Sequence, residues 1–431
     1  MKSVASFALG CKVNQVESEA IAEAFAKRGY SVVSIDESAD IYVINTCTVT
    51  NLGDKKSRQL IRRCKKQNPQ ALVVVAGCYA QTAPEEIKAI EGVNIVLGTK
   101  GRNEIVDEVE KYRAEMGIVN HVGEIMAEKM FEPISIHKLM GRTRAYLKIQ
   151  DGCSQFCSYC IIPYARGPVR SRYEDEVINE VKILAENGFK EVVLTGIHIA
   201  SYGKELHNTN LLQVIEKIHP IEGIERIRFS SIEPNIVSEE FMAGLSRLGK
   251  VCHHFHLSLQ SGCDRTLKTM NRKYTAEKYL KAVEIIRKYW KDAAITTDII
   301  VGFPGETDQD FIESYEFAKK VGFSKIHVFP YSPKKGTPAE KMDCQIAPQV
   351  KAERSRVLIE LSDKMAQNFI NNFINKEVDV LFEQSHIERE FVGHTSNYIN
   401  VTVKSDENIK NKILRVKLTN AEKDRVFGDI C

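Results

Sequence analysis

From Val4 to Phe329 the chain repeats one phrase: a short β-branched apolar run, a turn, then a stretch with helical periodicity. Strands are expected at Val4–Leu9, Ile41–Asn45, Leu72–Ala76 and Asn94–Leu97. Helices are expected at Gln15–Lys27 and Asn51–Lys66, the second capped by Asn51. Residues 101–140 offer no convincing strand and read as a helix plus connector. The phrase resumes with strands at Ala145–Ile149, Glu191–Leu194, Arg226–Ser230, Phe255–Leu259, Ile295–Ile300 and Lys325–Phe329. Helical patterns such as Glu174–Asn187, Ala276–Tyr289 and Gln309–Val321 fill the gaps. Strands alternating with helices form parallel sheets, and loops at the carboxyl ends of such strands carry the chemistry. The expected fold is α/β: an N-terminal parallel sheet domain, then a partial (βα)6 barrel closed by a helix at Val350–Phe373. Beyond it Glu377–Phe382, Phe391–His394, Tyr398–Lys404 and Ile413–Leu418 are short and alternating, which predicts a small C-terminal all-β barrel. The matching domains are 1–112, 139–368 and 369–431.

The 431 residues include eleven cysteines. The count is odd, and the only early apolar run, Val4–Gly10, is too short for a secretory segment. Metal or thiol chemistry is a better explanation than a disulfide framework. No stretch reaches the ~20 apolar residues of a membrane helix, so a cytoplasmic protein without membrane contact is expected. Cys153, Cys157 and Cys160 form C-x3-C-x2-C directly after a predicted strand. Thiolates at this density suit an iron–sulfur cluster or zinc. A structural zinc needs four ligands, and only His137 and His198 flank this set. Three ligands suit a four-iron cluster with one iron left open. Cys11, Cys47 and Cys78 also follow strands, at spacings of 36 and 31 residues, one βα unit each. Carboxyl ends of neighbouring parallel strands converge, so a second three-thiolate site is expected. Cys64, Cys252, Cys263, Cys344 and Cys431 show no pattern and read as small apolar side chains.

Sixty Lys and Arg against 57 Asp and Glu leave a formal charge of +3, so no uniform basic surface is expected. The distribution is uneven: residues 51–66 carry +6, residues 141–172 carry +5, and the rest sum to −8. Lys55, Arg58, Arg62 and Lys66 share a helix face, and Arg166, Arg170 and Arg172 follow the first cysteine loop. Phosphate neutralisation is the role expected of both groups. Residues 367–431 hold nine basic and ten acidic residues, so RNA binding there would need stacking, with Phe391 and Tyr398 as candidates. His198 and the His253-His254-x-His256 set are expected to be packing or substrate contacts.

The segment Asp151-Gly-Cys-Ser-Gln-Phe-Cys-Ser-Tyr-Cys-Ile-Ile-Pro-Tyr164 resembles the signature of the radical S-adenosylmethionine superfamily. That resemblance implies a cluster whose open iron binds S-adenosylmethionine, and one-electron cleavage to a 5′-deoxyadenosyl radical. It suggests Thr195, Gly196, Gln260 and Gly302 as cofactor-binding positions. Thr195-Gly196-Ile197 lacks the carboxylate of the Gly-Gly-Glu motif frequent there. Together with Leu9-Gly-Cys-Lys-Val-Asn-Gln15, Ile44-Asn-Thr-Cys-Thr-Val-Thr50 and Ala76-Gly-Cys-Tyr-Ala-Gln81, the whole chain resembles the methylthiotransferase family, with a TRAM-like C-terminal domain. Members act on isopentenyl-adenosine or threonylcarbamoyl-adenosine in tRNA, or on an aspartate of a ribosomal protein. The wording at Cys11 and Cys47, and Ser230-Ser-Ile-Glu-Pro234, resembles the MtaB-like threonylcarbamoyl branch. The resemblance implies methylthio insertion at carbon 2 of N6-threonylcarbamoyladenosine next to the anticodon. It also implies two [4Fe-4S] clusters: Cys153, Cys157 and Cys160 for the radical, Cys11, Cys47 and Cys78 for sulfur. S-adenosylmethionine would give both methyl and radical. The implied partners of a monomeric enzyme are tRNA, an electron donor protein and a sulfur source. The rival from another class is a non-catalytic, zinc-stabilised RNA-binding protein.

Overall fold

The computed structural model describes residues 2–134, 143–387, 389–422 and 425–431. The expected boundary at residue 139 and the flanking His137 lie outside the described residues. The first sheet has the order β2-β1-β3-β4-β5-β6, with β1 Ser3–Ala8, β2 Ser31–Val32, β3 Ile41–Thr46, β4 Leu72–Gly77, β5 Ile95–Leu97 and β6 Val119–His121. Every pairing in it is parallel. All six residues of β3 are buried, as expected of a parallel strand covered by helices on both faces. Helix α1 (Lys12–Lys27) packs one face and α2 (Asn51–Gln67) the other. Thr50, not Asn51, caps α2: its hydroxyl accepts from the Gly53 N–H at 3.1 Å. The reading of 101–140 as strandless is corrected by β6. Only Val119 of its three residues is even half-buried, so no apolar run marks it.

The central unit has six parallel strands: β7 Arg144–Lys148, β10 Glu191–Thr195, β11 Arg226–Phe229, β12 His254–His256, β13 Ala294–Val301 and β14 Lys325–Pro330. Single parallel bridges, Ile227 to Val251 and Ile232 to Leu257, join the two three-stranded halves into one curled sheet. Between β7 and β10 a two-residue pair, β8 Gln150–Asp151 with β9 Arg170–Ser171, pinches off the cysteine loop. Helix Pro348–Asn371 packs against β14 as the closing element.

The C-terminal strands β15 Glu377–Ile387, β16 Glu390–Thr395, β17 Asn400–Lys404, β18 Ile413–Glu422 and β19 Arg425–Ile430 form a closed barrel. The sequence reading missed β19, whose short Arg-Val-Phe-Gly-Asp-Ile stretch carries two charges and a glycine. It closes the barrel by pairing antiparallel with β18 and parallel with β17. The barrel is bonded to the central unit. Arg226 donates to the carbonyls of His394 (2.7 Å) and Asp379 (2.8 Å), and Arg228 to those of Ser396 (3.0 Å) and Thr395 (3.2 Å). Among the described residues, no helix is long and apolar enough to cross a membrane.

Candidate active site

Each cysteine of the N-terminal trio leaves the carboxyl end of a strand: Cys11 after β1, Cys47 after β3, Cys78 after β4. Glycines make the close approach possible. A Cβ on Gly10 (φ +93°) would lie 2.4 Å from the Cys47 sulfur, and one on Gly77 (φ +96°) 2.2 Å from Asn45 Oδ1. The motif asparagines tie the three loops together. Asn14 Nδ2 donates to the carbonyls of Leu9 (2.8 Å) and Thr46 (3.0 Å), while Asn45 Nδ2 donates to the Asn14 carbonyl and to Glu17, both at 3.1 Å. Thr46 Oγ1 donates to the Ala76 carbonyl at 2.6 Å.

Cys153, Cys157 and Cys160 stand on the loop between β8 and β9. The Cys153 N–H donates to the Gly167 carbonyl (3.0 Å), and Asn271 Nδ2 holds the Phe156 carbonyl (2.8 Å). Arg272 donates to the Cys157 sulfur at 3.2 Å and pairs with Glu233 at 2.9 Å. Glu233 also meets His198 Nε2 at 2.9 Å. A carboxylate from the segment after β11 thus stands beside this trio, paired with Arg272 and His198.

Both trios fit metal clusters by their chemistry. Burial, the largest cause, pushes the thiols up, Cys47 and Cys160 to about 12 and Cys153 to about 11. Buried thiols crowded together become thiolates only against a strong positive charge such as a bound metal. Neither trio gathers its three sulfurs within 4.8 Å of one another, which a single ion would require. Sulfurs around one tetrahedral zinc lie about 3.8 Å apart, so the wider sets suit a multi-iron cage.

Cys11 faces the same cavity of about 1050 Å³ as Cys153, Cys157 and Cys160. Thr195 and Gly196 line it, as do Lys12, Tyr146, His198, Glu233, Arg272 and Asp298. The C-terminal barrel supplies Tyr398, whose ring stacks on His254 (4.8 Å) and His394 (4.7 Å) with Arg228 over it (4.8 Å). Burial and Arg228 drive the His254 pKa well down, so that imidazole is neutral. His256, Asp298 and His327 bring one ligand atom each within 4.8 Å on three adjacent strands. Sequence reasoning missed this acidic member; its only trace is the Thr-Thr-Asp run of β13.

Several expected site residues are placed elsewhere. Arg166, Arg170 and Arg172 are buried (0, 3 and 4% exposed) and do not present guanidinium groups to an RNA backbone. Arg166 bonds Glu17 (2.6 Å), Asp151 (3.2 Å), Asn14 (2.6 Å) and the Cys78 sulfur (3.2 Å). Arg170 lies near Asp151 (3.8 Å), and Arg172 pairs with Glu176 and Glu180. Gln260 lies outside the cavity lining, with its backbone bridged to β13. Gly302 also lies outside it; a Cβ there would meet Lys351 at 2.4 Å. Phe391 faces the core of the C-terminal barrel, so it offers no stacking surface. On α2, Arg58 is half-buried and bonded to the Tyr79 hydroxyl (2.6 Å), whereas Lys55, Arg62 and Lys66 are exposed. Phe156 and Tyr164, edge to face at 5.8 Å and both about 40% exposed, form an aromatic pair on the first cysteine loop that composition alone does not single out.

A three-thiol set and the Cys11 end of a second one, opening on one cavity of a partial (βα)6 barrel, define a radical S-adenosylmethionine enzyme with a second cluster site. Residues 147–318 match the Radical SAM superfamily, and residues 3–98 match "Uncharacterized protein family UPF0004". The chain is 45% identical over 426 residues to the threonylcarbamoyladenosine tRNA methylthiotransferase MtaB of Bacillus subtilis, covering 98% of this chain and 94% of that one. It is 34% identical to the tRNA-2-methylthio-N(6)-dimethylallyladenosine synthase of Acetivibrio thermocellus, covering 98% and 89%. The chain belongs to the MtaB family of radical S-adenosylmethionine methylthiotransferases. Among solved structures, the radical S-adenosylmethionine methyltransferase TsrM of Kitasatospora setae shares the fold (TM-score 0.58, 16% identity, 79% of this chain and 77% of that one).

Proposed function

We propose that the protein inserts a methylthio group at carbon 2 of N6-threonylcarbamoyladenosine in tRNA. The observation that carries this reading is the shared cavity: Cys11 of the N-terminal trio faces the same space as Cys153, Cys157 and Cys160, so a sulfur donor and a radical source can meet one substrate. The 45% identity to an enzyme named for that substrate supports the choice of nucleoside. Cys153, Cys157 and Cys160 would hold one [4Fe-4S] cluster, and Cys11, Cys47 and Cys78 the other. Bound there, the clusters and S-adenosylmethionine supply radical chemistry at an unactivated carbon and the sulfur and methyl that it receives. Thr195 and Gly196, which line the cavity, would contact S-adenosylmethionine. Arg272 holds Cys157 and Glu233 in place, and Tyr398, stacked between His254 and His394, gives the cavity an aromatic wall from the C-terminal barrel. The protein is read as a cytoplasmic monomer drawing on an electron donor protein and a sulfur source, with units at 1–112, 139–368 and 369–431.

The test is nucleoside mass spectrometry of tRNA treated with the reconstituted enzyme. The expected product is 2-methylthio-threonylcarbamoyladenosine; a methylthiolated isopentenyladenosine instead would refute the assignment. Cys47→Ala should leave S-adenosylmethionine cleavage close to wild type and abolish the methylthio product. Normal product from that variant would remove the division of labour between the trios.

RNA approach is assigned to the exposed face of α2, beside the N-terminal trio, with Phe156 and Tyr164 as a stacking pair. Replacing Lys55, Arg62 and Lys66 together by Gln should flatten the dependence of log Kd for tRNA on log salt by about 2–3, at roughly 0.7–0.9 per phosphate contact. An unchanged slope would move the RNA path off this helix.

A further inference from the structure

Five Lys and Arg side chains line the central cavity, and four already have carboxylate partners. Arg144 pairs with Glu383 at 2.8 Å, Arg228 with Glu191 at 2.7 Å, Arg272 with Glu233 at 2.9 Å and Lys325 with Asp363 at 3.1 Å. Lys12 is the fifth. Among the described residues it has no carboxylate partner, and its Nζ lies 5.5 Å from the centre of the Tyr146 ring. As the first residue of α1 it follows Cys11 directly, and both residues line the cavity. The neighbouring charges it feels include Arg144 and Arg228, which add positive potential, and Glu191, which adds negative potential from a distance but is itself bonded to Arg228. Lys12 is exposed to the open cavity; an occupant that fills the space displaces the water around its ammonium, and a cation so covered is stable when the occupant supplies the counter-charge.

We propose that Lys12 receives the carboxylate of the threonyl group on the target adenosine and so selects this substrate over adenosines with uncharged N6 arms. The inference rests on the reading given under Proposed function and deepens it. A threonylcarbamoyl arm carries one free carboxylate. A hydrocarbon arm carries none and would leave the ammonium unpaired in the filled site, where a missing polar partner discriminates strongly. A charge-assisted hydrogen bond is also directional, so the same contact sets the adenine between the two trios.

The test uses the cluster-loaded enzyme and two anticodon stem-loops. One carries threonylcarbamoyladenosine; the other carries its carboxamide analogue, equal in shape and uncharged. Wild type should bind the carboxylate form about tenfold or more tightly than the carboxamide. Lys12→Gln should lose that preference while binding the carboxamide as wild type does, and Lys12→Arg should restore part of it. Lys12→Gln weakening both RNAs equally would mark a backbone-phosphate or scaffold contact and overturn the proposal. So would equal wild-type affinity for the two RNAs, a comparison that needs no variant to fold. An enzyme that cleaves S-adenosylmethionine but makes no methylthio product from the carboxylate RNA would instead sink the functional reading itself.

Discussion

A Cys157→Ala protein reconstituted under anaerobic conditions will cleave no S-adenosylmethionine above background, and its iron content will fall by about half. Cys157 is 7% exposed and accepts from Arg272 at 3.2 Å. Alanine there removes one of three soft donors and strips Arg272 of an acceptor. The N-terminal trio is untouched, so the remaining iron should stay on Cys11, Cys47 and Cys78. Cleavage at the wild-type rate would show that Cys153, Cys157 and Cys160 are not the radical source.

Arg166→Met should be the most damaging substitution away from the cysteines. The guanidinium is fully buried between Glu17 and Asp151, which also meet Lys148 at 2.8 and 2.6 Å. Arg102 completes the cluster, pairing with the same Glu17. Attraction to these cations holds both carboxylates well below the usual acid range despite burial. Removing one member of such a set leaves uncompensated buried charge, at a cost of about 3–5 kcal/mol. It also removes the donor on the Cys78 sulfur. Denaturant unfolding of the metal-free protein and an iron count after reconstitution check the two effects separately. Arg166→Lys should recover little, because one ammonium cannot reproduce a fork that meets several acceptors at once. Stability equal to wild type would show that the network is dispensable.

Cys11, Cys47 and Cys78 were legible because each follows a strand, and strand ends of a parallel sheet share one edge; Cys153, Cys157 and Cys160 were legible from their close spacing on one loop. The arginines were not. Arg166 lies 149 residues from its partner Glu17, and nothing local distinguishes a guanidinium bound for a buried carboxylate from one bound for phosphate. Arg166 is drawn to the junction between the units, whereas Arg170 and Arg172 pair with carboxylates of their own segment. Phe391 was decipherable in principle: β16 buries Phe391, Gly393 and Thr395 in alternation, and period two alone puts the ring inside. The strands β6 and β19 escaped because pairing partners, not their own apolar content, hold them in place. The cavity wall at Tyr398 depends on docking a separately folded barrel, which no periodicity encodes.

That docking has an evolutionary consequence. Four backbone carbonyls of the C-terminal barrel are gripped by Arg226 and Arg228, and Tyr398 reaches across the seam into the chamber. The module is therefore masonry and not a tethered hand. Lineages exchanging it wholesale would trade away part of the room in which the nucleoside is held, so changes of client RNA must arise by matched edits on both sides of the joint.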